Sequence, residues 1–276
     1  MAYIEETLTM RDGTALYVRR HEPNPSRAEI VIVHGFGEHS GRYSAITEHL
    51  TRHGFTVTAY DHRGHGQSDG LPGHVDRFAD YEADLAAIIA MVRSRSKDRL
   101  FLVAHSMGGL IALRYLVQAG PEAAGAVISA PLLGFAVDVP PFKAVIAKIS
   151  ARLAPKLRMK NEIDPMVLSR DTEICAAYAA DPLVNRLVSA RWFVEAQNAM
   201  RELEESAGRI WTPLLVMHGT KDKLASYEAT RTVFEKIGSA DKELVLYPGF
   251  YHELFNEPEK QELYDRTTAW LEARLQ

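Results

Sequence analysis

Three side chains in this sequence have the types and the order that nucleophilic catalysis needs: Ser106, Asp222 and His252. A serine hydroxyl is a poor nucleophile at neutral pH and needs a histidine to take its proton. The histidine in turn needs a carboxylate to fix its tautomer and stabilise the imidazolium. Ser106 lies in L-F-L-V-A-H-S-M-G-G-L-I-A-L, where an apolar run over 100–104 gives way to helical spacing at Leu110, Ile111 and Leu113. The run suits a strand buried on both faces, so the serine falls on a sharp strand–turn–helix bend. Such a bend holds the hydroxyl clear of the sheet. The helix start aims free N–H groups and its positive dipole end at the place where an oxyanion would form. Crowding there demands small residues two before and two after the serine, which Ala104 and Gly108 supply. A serine at an ordinary helix start is the plainer alternative, and S-x-G-G alone does not separate the two.

Asp222 follows a strand over 214–218 in G-T-K-D-K, and His252 follows a strand over 243–247 in P-G-F-Y-H. Each alone reads as a loop residue. Together, at the ends of successive strands and in the order Ser, Asp, His, they make a candidate triad. Two backbone donors complete an oxyanion hole: the N–H of Met107 and that of Phe36, in Gly35-Phe36-Gly37. These glycines do not make a phosphate loop, because neither G-x-G-x-x-G nor a P-loop Lys-Ser/Thr is present.

The elements that must position these residues alternate. Strands are expected over 14–20, 28–34, 55–60, 100–104 and 125–130, with helices over 43–53, 78–95 and after Ser106. The rhythm breaks after Pro131: over 132–206 no strand pattern is visible, and prolines 140, 141, 155, 165 and 182 punctuate short helices. Alternation resumes with strand 214–218, helix 227–237, strand 243–247 and a last helix over 258–274. The pattern predicts a mainly parallel α/β sheet with helices on both faces. The expected core is 1–131 and 207–276, with a helical cap over 132–206 lying above the strand ends, where ligands bind.

Composition bounds the rest. At 276 residues and 46% hydrophobic the chain can build a large core, and a net charge of −4 argues against nucleic-acid binding. One cysteine, Cys175, excludes an internal disulfide and disfavours a Cys-based metal site. It reads as a packing residue, with a reactive thiol near the pocket as the sharper alternative. M-A-Y-I-E-E-T has no signal-peptide pattern and no apolar run reaches a membrane span, so a cytoplasmic protein is expected. His62, His65 and His74 read as solvated histidines of a glycine-rich turn rather than metal ligands. Oligomeric state is not readable.

The stretches H-G-F-G-E-H-S-G-R-Y (34–43), D-H-R-G-H-G-Q-S-D-G (61–70) and A-H-S-M-G-G (104–109) resemble the monoacylglycerol lipases of the α/β-hydrolase superfamily. So do V-L-S-R (167–170), D-P-L (181–183) and Tyr251-His252, so the likeness runs in order along nearly the whole chain. It implies an eight-stranded, mostly parallel sheet, no metal or organic cofactor, and a glycerol head group held by Glu38, Arg42 and the cap residue Tyr178. Two positions depart from the family: Ala104 stands where glycine is common. Phe255 occupies the place, three after the histidine, where some relatives carry a polar residue. Read from spacing alone, Glu38 and Arg42, four apart, would be a surface ion pair worth little.

In the cap, Phe142, Val145, Ile146, Ile149, Leu153 and Leu157 recur at three- and four-residue steps with Lys143, Lys148, Arg152 and Lys156 between them. One expectation is an amphipathic helix packed on the domain and lining an acyl pocket. The other is an interfacial lid that makes transient contact with a membrane or micelle and associates peripherally with it. The function expected is a serine hydrolase cleaving lipid-like carboxylic esters, above all monoacylglycerol to glycerol and fatty acid. A lysophospholipase or general carboxylesterase is the alternative within enzymes, and a hydrolase-like binding protein without turnover is the alternative outside them. Haloperoxidase-like and epoxide-hydrolase roles fit less well, the latter needing a carboxylate where Ser106 stands.

Overall fold

The computed structural model describes residues 2–119, 122–136, 141–161 and 163–275. Its main sheet contains β1 (Ala2–Thr9), β2 (Ala15–Glu22), β3 (Ala28–Val33), β4 (Phe55–Tyr60), β5 (Leu100–His105), β6 (Gly125–Ser129), β9 (Leu214–Gly219) and β10 (Lys242–Tyr247). The order is β1-β2-β4-β3-β5-β6-β9-β10. β1 and β2 pair antiparallel, as do β2 and β4, and every later neighbour is parallel.

The central strands are apolar on both faces because both faces are covered. In β3, Ile30 and Ile32 join one core cluster and Val31 and Val33 the other; in β5, Phe101 and Val103 oppose Leu100 and Leu102. Helices α1 (Ser44–Arg52) and α8 (Lys260–Glu272) cover the first face through Ile46, Leu50, Leu263 and Leu271. Helices α2 (Ala79–Arg95) and α3 (Met107–Ala119) cover the second. This double covering is what a parallel sheet requires.

Between β6 and β9 the chain leaves the sheet and makes α4 (Pro141–Leu153), β7 (Arg158–Lys160), α5 (Thr172–Ala180), β8 (Leu187–Ser189) and α6 (Ala190–Ser206). Strands do occur here, contrary to expectation: β7 and β8 pair antiparallel. At three residues each they are too short to show a period of two. The α6 face carrying Ala196, Ala199 and Leu203 joins the core cluster of α2 and α3. After β9 comes α7 (Tyr227–Lys236), started by the Ser226 hydroxyl accepting from Ala229 N–H.

Two further expectations change. The loop histidines are not solvated: His62, His65 and His74 are 0%, 2% and 6% exposed. The rings of His34, His62 and His65 cluster in tilted and edge-on contacts at the loop after β3. Their glycine-rich segment folds under a functional loop instead of facing water. Second, α4 packs beside α6 and Ile146 lines a large cavity, but most of its apolar stripe stays open: Val145, Ile146, Ile149 and Leu153 are 55%, 56%, 53% and 80% exposed. The side chains of Phe142 and Lys143 lie outside those described.

Candidate active site

Parallel register brings the site together. β3 pairs with β5 through Val33 and Ala104, and β5 with β6 through His105 and Ser129, so the loop 34–37 and Ser106 leave the same sheet end side by side. The Ser106 N–H donates to Ser129 O at 3.0 Å, and its carbonyl accepts from Leu110 N–H, starting α3, and from Leu132 N–H. Ser106 is held at φ 53°, in the left-handed region that costs a serine energy and that persists only where its surroundings fix it. Gly108 is required: a Cβ there would lie 2.1 Å from Val33 O. Ala104, fully buried in β5, is accommodated. At the other end, a Cβ on Gly219 would lie 2.4 Å from the carbonyls of Phe250 and Tyr251, so only glycine lets β9 approach the His252 loop this closely.

The three distant residues meet. His252 Nε2 lies 3.0 Å from Ser106 Oγ, and its Nδ1 2.7 Å from Asp222 Oδ2. Asp222 Oδ1 accepts from Leu224 N–H and Ala225 N–H at 2.8 and 3.0 Å. Burial alone would favour the protonated acid, but the His252 charge and the donors from His218 and His252 hold Asp222 well below the usual carboxylate range. An ionised Asp222 accepts, so the His252 proton sits on Nδ1 and the Nε2 lone pair faces the serine hydroxyl. Burial lowers the basicity of His252, yet the Asp222 charge and hydrogen bond outweigh it and leave His252 above the ordinary histidine value. The N–H groups of Phe36 and Met107 have no hydrogen-bond acceptor among the described residues.

Glu38, Arg42 and Tyr178 converge as well, and the Glu38–Arg42 pair is buried, not on the surface. Arg42 donates to Glu38 Oε2 at 2.8 Å and stands 4.8 Å over the Tyr178 ring. Glu38 Oε1 accepts from Gly35 N–H at 2.7 Å and from Tyr43 OH at 2.6 Å, which ties the carboxylate to the loop bearing Phe36. Sequence reasoning missed Glu253, which accepts both arms of Arg42 at 2.5 and 2.7 Å. Burial disfavours the Glu253 anion, but the guanidinium more than offsets it and holds the group low. Burial pushes Glu38, gripped by one arm only, upward despite Arg42. No motif marks Glu253; its place beside His252 was the only available signal. Phe255 is buried on the far side of this cluster, away from the large cavity.

That cavity, about 950 Å³, opens above Ser106 and His252. Its walls are mainly apolar and include Phe36, Leu132, Phe135, Trp192, Phe193 and Ile146 of α4. Trp192, also unforeseen, lies 4.0 Å from the Phe36 ring. The segment between β6 and β9 grips the site loops: Asn185 N–H donates to Gly37 O, Glu253 N–H to Leu168 O, and His39 pairs with Asp181 at 2.9 Å. Cys175 is buried and its thiol donates to Ser169 O. No group of three or more His, Cys, Asp or Glu suited to a metal occurs among the described residues.

An eight-stranded sheet of this order, with a serine on the bend after a central strand, defines an α/β-hydrolase. A family model described as serine aminopeptidase, S33 (Hydrolase_4) matches residues 24–259, and the chain belongs to this family of serine hydrolases. It is 34% identical over 252 residues to the monoacylglycerol lipase of Mycolicibacterium smegmatis, covering 90% of this chain and 89% of that one. It is 33% identical over 276 residues to the Homo sapiens monoglyceride lipase, covering 97% and 90%. The crystal structure of Paleococcus ferrophilus monoacylglycerol lipase matches with a TM-score of 0.87 at 34% identity, over 94% of this chain and 99% of that chain.

Proposed function

We propose that this chain hydrolyses monoacylglycerols through an acyl-enzyme on Ser106. The observation that carries the reading is the Ser106–His252–Asp222 line opening into a deep apolar cavity. His252 Nε2 takes the Ser106 proton as Oγ attacks the ester carbonyl. The N–H groups of Phe36 and Met107 hold the tetrahedral oxyanion, and Asp222 stabilises the imidazolium. His252 then protonates the departing glycerol oxygen. A water, deprotonated by His252, attacks the acyl-enzyme, and collapse releases fatty acid and restores Ser106. No metal or organic cofactor enters these steps.

The acyl chain occupies the apolar cavity and the glycerol end lies toward Glu38 and Tyr178, which line it, with Arg42 bonded to Glu38. Residues 132–206 act as a cap on a core made of 1–131 and 207–276, tied down by α6. The exposed α4 stripe, with Lys148 and Arg152 among its apolar residues, meets a micelle or membrane surface transiently. Among the described residues no helix is long and apolar enough to cross a membrane.

The test compares kcat/KM for a monoacylglycerol, a lysophosphatidylcholine of the same chain and a p-nitrophenyl ester. The monoacylglycerol is expected to be the best lipid substrate; faster turnover of the lysophospholipid would replace this reading with that of a lysophospholipase.

A further inference from the structure

His218, the penultimate residue of β9, stands four residues before Asp222 and is fully buried. Its Nε2 lies 3.0 Å from Asp222 Oδ2 and 3.2 Å from Ala225 O. A carbonyl and an ionised carboxylate only accept, so Nε2 carries the proton. Its Nδ1 lies 3.0 Å from the hydroxyl of Thr230, itself fully buried on α7, which holds the far edge of the ring. His218 Nε2 is thus a donor aimed at the same oxygen, Oδ2, that receives the His252 N–H.

We propose that His218 is a positioning residue for the hydrolysis: through Asp222 it sets the orientation and basicity of His252. This rests on the triad reading above. Two imidazole N–H donors share one carboxylate oxygen, so the charge that Asp222 presents to His252 is partly neutralised by His218. The backbone donors on Oδ1 fix one edge of the carboxylate and His218 fixes the other, which leaves Oδ2 in the plane His252 needs. The other titratable groups facing this arrangement are His105, whose ring is 4.7 Å from that of His252, Glu38 after β3, Glu253 after β10 and Glu228 on α7. None of these donates to Oδ2.

Removing the His218 donor concentrates negative charge on Oδ2, stabilises the His252 imidazolium and moves the acid limb of activity to higher pH. The experiment measures kcat/KM against pH with a soluble, neutral p-nitrophenyl ester for the wild type, His218→Leu, His218→Gln and Ser106→Ala. Leucine lacks a donor; glutamine places an amide N–H at similar reach and does not titrate. His218→Leu is expected to raise the acid-limb midpoint by about half a pH unit or more, with lower kcat and little change in KM. His218→Gln is expected to restore the wild-type midpoint. Should His218→Leu fold poorly, His218→Asn, too short to reach Asp222, carries the same expectation. An unmoved midpoint in the donorless variants, or a glutamine variant shifted as far as leucine, beside an inactive Ser106→Ala, would overturn the proposal alone. Turnover surviving in Ser106→Ala would overturn the triad reading and this proposal with it.

Discussion

Beside the large cavity Ser106 and His252 are 8% and 5% exposed, with Asp222 held behind His252 at 8%, while α4, whose Ile146 lines the same cavity, leaves Val145, Ile146, Ile149 and Leu153 each more than half exposed. These three residues follow the ends of β5, β9 and β10, whose register is fixed by parallel ladders. Their polar atoms are held by backbone donors and by one another. Helix α4 has the opposite character: an apolar stripe that the fold itself leaves mostly open. A reactive centre needs its atoms within tenths of an ångström, which a sheet supplies. The proposed contact with a lipid surface needs apolar area left available, which α4 has.

Substitutions in the two regions should differ in kind. The largest effect is expected from Ser106→Ala, which should cut kcat by about four orders of magnitude or more with unchanged circular dichroism. Next comes Arg42→Met, which leaves the buried Glu38 and Glu253 carboxylates facing each other without their cation. Urea unfolding should show a loss of about 3 kcal/mol, and a loss below about 0.5 kcal/mol would mean the pair is effectively solvated.

Acidification should act on the site through His252, which must be neutral to accept the serine proton. Its pKa is raised, so kcat/KM should fall about tenfold per pH unit below a midpoint lying above the ordinary histidine value. A midpoint below that value would contradict the raised His252. The smallest effects belong to α4. Ile146→Ser with Ile149→Ser should lower turnover of micellar esters several-fold and leave soluble short-chain esters nearly unchanged; equal losses would remove the interfacial role of α4. Leu153→Lys, at 80% exposure, should change stability by less than about 0.5 kcal/mol in the same urea assay.

The same contrast explains what could be read from the sequence. The sequence marks the central strands because double burial makes them apolar and β-branched, so the expected bounds agree with β4 and differ by one residue from β5. β1 was not anticipated: Ala2–Thr9 carries Glu5 and Glu6 on an exposed edge and lacks a clean alternation. The proposed triad residues are legible because strand ends mark them. Glu253 and His218 are not, since their importance lies in partners far away in sequence or across a loop. A histidine near the close of an otherwise apolar strand, just before G-x-x-D, was the one usable hint for His218. The burial of His62 and His65 was missed because glycine-rich loops usually face water, and nothing local reveals that this one packs under His34 and Phe36. The apolar period of α4 was visible, but periodicity cannot say whether an apolar face meets protein or the outside.

The most direct test of Ser106 as the nucleophile is covalent trapping. Folded protein treated with a fluorophosphonate and digested should carry one adduct, on Ser106, with loss of activity in step with labelling and no adduct in Ser106→Ala. Folded, untreated-like protein that stays unmodified at Ser106, or that carries the adduct elsewhere while losing activity, would contradict the account.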